Sequence, residues 1–141
     1  AERVRALRVR RLGALGGAAI EALHSFHSVW GYVAIVANAI AGTLALVAWR
    51  VPRVRGRVVW IATIAAEVAV LLQVLVGVIL VASHRYEAPR FHMFYGFVIF
   101  ITVGLLYQYR GSMKGRLEML YGFGGLFIMG LGIRAVLQVV R

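Results

Sequence analysis

A chain of 141 residues that is 62% hydrophobic is too apolar for a water-soluble domain, whose apolar share lies nearer half. It has room for one compact bundle, and its lack of cysteine excludes disulfides, thiolate metal sites and covalent c-type haem attachment. The net charge of +11 would suggest nucleic acid in a soluble protein. Here the sixteen basic residues fall almost entirely between apolar runs, which suits anionic lipid headgroups and argues against nucleic acid.

Residues 1–27 read as a basic arm. Arg3, Arg5, Arg8, Arg10 and Arg11 spread around a helix at 100° per residue and define no single polar face, so an interfacial helix is expected at the headgroups. The Arg-rich start is followed by a Gly/Ala-rich stretch broken by Glu21, which does not make a secretory signal. Residues 12–27 carry no basic residue and can extend the first membrane helix as a long or bent helix.

Four apolar runs follow at Ser28–Trp49, Val58–Ser83, Phe91–Tyr109 and Met119–Val140, each near the roughly 20 residues that cross a hydrocarbon core. The connectors carry Pro52 and Gly56, Pro89, and Gly111 and Gly115, breakers where helices must stop. The fold expected is all-α: a four-helix transmembrane bundle over 28–141, up-down-up-down, in a bacterial-type cytoplasmic membrane. Trp30, Trp49, Trp60, Tyr95, Tyr107, Tyr109 and Tyr121 fall near the predicted ends, as an aromatic belt requires.

Orientation is balanced. Arg3, Arg5, Arg8, Arg10, Arg11, Arg85, Arg90, Arg134 and Arg141 belong to one face, and Arg50, Arg53, Arg55, Arg57, Arg110, Lys114 and Arg116 to the other. The basic arm favours an inside N-terminus, and the two shortest basic loops favour the reverse.

All four histidines fall on one face. His84 and His92 bound the connector HRYEAPRFH, while His24 and His27 precede the first run, and a chain that crosses twice returns to the side it left. His27, Trp30 and Gly31 repeat as His92, Tyr95 and Gly96, so helices one and three each open with a histidine, then an aromatic and a glycine. In an up-down bundle these two helices are diagonal partners, and both histidines can face one central space.

Asn38, Glu67 and Thr102 share a level near the midplane at about 1.5 Å per residue. They are expected to form a polar clasp between helices, with Glu67 protonated because a bare carboxylate there carries a large desolvation cost. A proton relay would want a file of further acidic or hydroxyl groups, which the sequence does not offer. Gln73 and Arg134 mark a second level closer to the histidines; Arg134 either snorkels to headgroups or points inward, where a guanidinium suits a haem propionate, a quinone oxygen or a lipid phosphate.

Three chemistries suit the histidines. His27 and His92 can be the axial ligands of a b-type haem, with Arg134 nearby. Glu21, His24, His27, His84, Glu87 and His92 can hold one or two ions of zinc, copper or iron. All four can also be ordinary interfacial side chains. The run LLQVLVGVILV at 71–81, then a polar turn, a proline and FHMFYGFVIF, resembles the helical hairpin of haem-binding four-helix membrane proteins, namely half of haem A synthase and the cytochrome b561-like bundles. That resemblance implies a b-type haem with His92 as one axial ligand. The second ligand then has to come from His27 or His24, and the paired histidines of a second haem are absent.

No Ser-His-Asp set, phosphate-cradling glycine loop or cysteine nucleophile is present, which disfavours hydrolase, kinase and thiol chemistry. Two functions are expected: a cofactor-binding protein of an electron-transfer or oxidase-type membrane complex, or an accessory or assembly subunit with no cofactor, packing against other membrane subunits or a second copy. The glycine-rich fourth span, with Gly122, Gly124, Gly125, Gly130 and Gly132, permits close approach of a neighbour.

Overall fold

The computed structural model describes residues 2–140; Arg141, counted above among the basic residues, lies outside them. Four α-helices and a short 3-10 turn make up the described chain: α1 (Glu2–Arg50), the turn Pro52–Val54, α2 (Arg57–Ala82), α3 (Arg90–Tyr109) and α4 (Leu117–Leu137). No strand occurs among the described residues. All four helices are long and apolar enough to cross a membrane.

The arm is not a separate element. α1 continues unbroken from Arg50 back to Glu2, and its first fifteen or so residues touch nothing else, being exposed all round. Nothing among them terminates the helix, because Gly13, Gly16 and Gly17 each weaken a helix by about 1 kcal/mol but do not stop it. The other helices end within three residues of the breakers' predictions. α2 stops at Ser83, after which His84 turns with φ +54°, a left-handed conformation that histidine adopts more readily than most non-glycine residues.

α1 packs along α2 on one side and α4 on the other; α3 packs along α4 and meets α2 only slightly. α1 and α3 therefore stand across the bundle from each other. The α1–α2 register is fixed by polar groups: Trp30 Nε1 donates to the Ala69 carbonyl (2.9 Å), Asn38 Nδ2 to the Ala66 carbonyl (3.2 Å) and Gln73 Nε2 to the His27 carbonyl (2.9 Å). Trp30 thus belongs to the helix interface, not to an interfacial belt.

α1 and α4 meet through glycine. A Cβ on Gly42 would lie 2.9 Å from the Gly122 carbonyl oxygen and from the Leu126 nitrogen, and one on Gly125 would lie 3.1 Å from the Gly42 Cα. Small residues at this seam let the backbones of α1 and α4 approach, so dispersion contacts act directly between the helices. The core that results joins Ala34, Ala69, Val70, Ile99, Val103, Leu106 and Ile128. At the far end Arg55 donates to the Ala48 and Trp49 carbonyls (3.0 and 3.3 Å) and so caps the open end of α1; its Nε also lies 3.8 Å from Glu118 in the first turn of α4.

Candidate functional site

The fold brings His27 and His92 together. α1 supplies the first and α3 the second, and their ring centroids lie 6.0 Å apart with the planes at 73°. Both side chains are half-buried. His92 is oriented by α4: its Nδ1 lies 3.0 Å from the Ala135 carbonyl oxygen. A carbonyl only accepts, so Nδ1 carries a proton here, and in the neutral ring Nε2 is the nitrogen with the free lone pair. This is the arrangement of a metal-ligating imidazole whose other nitrogen is fixed by a backbone carbonyl.

His27 is oriented by α2. Its Cε1 would lie 2.9 Å from a Cβ on Gly77, so the absence of a side chain there lets the ring lie against that helix. Its Nδ1 is buried and has no hydrogen-bond partner. Gln73, one turn before Gly77, holds the His27 backbone through the carbonyl bond already described, and its own Oε1 is likewise buried without a partner. A buried polar atom without a partner costs about 1–3 kcal/mol, and in a native protein it calls for a water, an ion or a ligand.

The glycine that makes room is not the one the repeat suggests. Gly31 is filled by the Gln73 amide, whose Nε2 would lie 2.9 Å from a Cβ there, whereas Gly96, the equivalent on α3, faces open space. The residues that do position the histidines, Gly77 and the Ala135 carbonyl, sit on the neighbouring helices. A glycine four residues after Gln73 in an otherwise apolar helix is the one sequence sign of the first; the second leaves none, being backbone.

The six-residue metal set does not assemble. Among the described residues no three His, Asp or Glu side chains lie together as ligands for an ion. Glu21 and Glu87 are exposed, His84 is exposed at the left-handed turn after α2, and His24 is stacked on Tyr86 with ring centroids 4.1 Å apart and the planes at 5°. Of Glu21, His24, His27, His84, Glu87 and His92, the fold brings ring to ring only His27 and His92. Arg134 is exposed, one residue before the buried Ala135.

The three midplane residues find separate partners. Asn38, buried to 1% exposure, gives its Nδ2 to the carbonyls of Ala34 and Ala66, and Thr102 gives its hydroxyl to Val98 one turn back (2.7 Å). Glu67 Oε1 is buried and unpartnered. Asn38 and Thr102 thus bond to backbone carbonyls and not to each other or to Glu67.

Comparison with protein-family models, curated proteins and solved structures gives no match to this chain, so the likeness to haem-binding bundles rests on the residues quoted for it.

Proposed function

We propose that the chain is an integral membrane protein crossing the bilayer four times, up-down-up-down, and holding a b-type haem iron between His27 and His92. The observation that carries this reading is the separation of the two rings. Rings whose centroids lie 6.0 Å apart are near enough for one metal centre to reach a nitrogen of each. The tautomer fixed on His92 by Ala135, the unpartnered Nδ1 of His27 and the space left by Gly77 all fit a donor pair prepared for a metal centre. His27 and His92 would hold the haem, which would supply one-electron transfer.

The chain's own part is to hold two neutral imidazoles at the right spacing, exclude water from them and keep the fold around them rigid. Arg134 stands one residue from the carbonyl that orients His92 and offers a cation to a propionate at the headgroup level. A single copper, iron or zinc ion is a poorer fit, since two histidines alone leave most of its coordination to water.

The test is the absorption spectrum of the purified protein, with metal analysis on the same sample. A Soret band lost in both His27→Ala and His92→Ala, with helical content unchanged, supports the site. A protein that carries no haem and takes up none when haemin is added is better described as an accessory subunit of a membrane complex.

A further inference from the structure

The four helices do not close evenly around the histidine pair. α1 is packed against α2 and α4, and α3 against α4, but α2 and α3 meet at few points. Added side chains at Gly42, Gly122 and Gly124 would strike neighbouring atoms closer than 3.0 Å, whereas Gly96 and Gly104, both on α3, have nothing within 4 Å. Gly96 lies one turn from His92 on the same helix, so open space begins directly beside the site. Phe97, the next residue, and Phe100, one turn further on, are exposed at 62% and 53%, so the outer face of α3 here is apolar.

At the histidine end of the bundle the connector lies on α1. Tyr86 of the α2–α3 connector is stacked on His24, one helical turn outward from His27. Arg85 reaches further along α1, its Nη1 lying 2.8 Å from where a Cβ of Gly17 would be. The connector is thus drawn onto α1 and away from the seam between the two helices it joins. Gly17 is what allows the guanidinium to lie against that helix.

Resting on the haem reading above, we propose that the site is loaded sideways, from the hydrocarbon phase through the α2–α3 seam, and not through the end on which the connector lies. The ligand class is a flat apolar macrocycle with anionic groups on one edge: its disc is soluble in lipid, and its carboxylates stay at the headgroup level where Arg90 and Arg134 lie. A side entrance also lets the seam close on the ligand by a small approach of α2 to α3, without unpacking the three tight interfaces. The loose contact between α2 and α3 is then a functional feature of the bundle.

The experiment uses the full chain in phospholipid vesicles with zinc protoporphyrin as a fluorescent probe. Two quenchers are compared: a lipid with a nitroxide on its acyl chain, and iodide in the aqueous phase. The expected result is fluorescence lost to the nitroxide lipid and largely preserved against iodide, with Gly96→Trp slowing uptake from probe-loaded vesicles severalfold and Tyr86→Ala leaving the uptake rate unchanged. Histidine-dependent binding that is quenched by iodide, or whose rate rises on Tyr86→Ala and ignores Gly96→Trp, overturns the lateral route and leaves the haem reading standing. Probe binding unaffected by both His27→Ala and His92→Ala overturns the haem reading itself. Should Gly96→Trp fail to fold, the two quenchers on the unaltered chain still decide the route.

Discussion

Gly77→Ala is the smallest change that should disable the site while leaving the bundle folded. A Cβ at Gly77 would lie 2.9 Å from His27 Cε1 and 3.6 and 3.7 Å from its two ring nitrogens, whereas ordinary carbon contact begins near 3.4 Å. The ring must therefore retreat by about half an ångström or tilt, and supporting contacts of this kind to a metal-binding imidazole are worth about 10–100-fold in affinity. That is about 1.4–2.7 kcal/mol of binding free energy. Stability should change little, because alanine gains about 1 kcal/mol of helix propensity over glycine and the atom it meets belongs to a side chain that can move. The assay is a haemin titration followed at the Soret band, with circular dichroism on the same samples. Gly130→Ala, whose Cβ would meet nothing within 4 Å, serves as the control and should bind as the unaltered chain does. If Gly77→Ala binds haemin normally while His27→Ala abolishes binding, the ring is not held against α2 and the orientation assigned to His27 is wrong.

Glu67→Leu should raise stability by about 1–3 kcal/mol, because it removes a buried carboxyl oxygen that has no hydrogen-bond partner, a penalty of that order; detergent unfolding that shows a loss instead would reveal a partner the fold hides. Asn38→Leu should lower stability by about 0.5–2 kcal/mol, the range of interhelical hydrogen bonds in membranes, since the bond to the Ala66 carbonyl goes with it; an unchanged unfolding midpoint would count against that bond. Gly42→Ala should destabilise where Gly130→Ala does not, because its Cβ meets backbone atoms of α4 at 2.9 Å that yield only if the helices separate, and overpacking of this kind costs about 1–3 kcal/mol. Equal unfolding midpoints for the two variants would mean that the α1–α4 seam is looser than described.

The ends of the helices were legible because breakers and apolar runs are local signals. α2, α3 and α4 begin at Arg57, Arg90 and Leu117, each within two residues of the start that the hydropathy pattern predicts. For α1 the extension through 12–27 was legible from its lack of basic residues, but the unbroken run back to Glu2 was not, since five arginines mark a charged segment without saying whether the helix stops before it. The nearness of His27 to His92 was legible for a reason of connectivity: two histidines at the outer ends of alternate helices must share a level, and the diagonal places them face to face. Azimuth was not legible. Counting residues put Asn38, Glu67 and Thr102 at one depth, but which way each points depends on helix rotation, and that is set by the glycine contacts of Gly42 with Gly122 and Gly125. The same gap hid the roles of Gly77 and of the Ala135 carbonyl, which act from helices adjacent to the histidines they orient.

Electron paramagnetic resonance of the ferric protein at low temperature tests the central claim most directly, because it reports the number and kind of axial ligands without reference to activity. Two imidazoles on one iron predict a low-spin signal in the unaltered chain, converted to a high-spin signal in both His27→Ala and His92→Ala as one axial position opens. A high-spin signal from the unaltered chain, or a low-spin signal that survives either substitution, would contradict a haem held between His27 and His92.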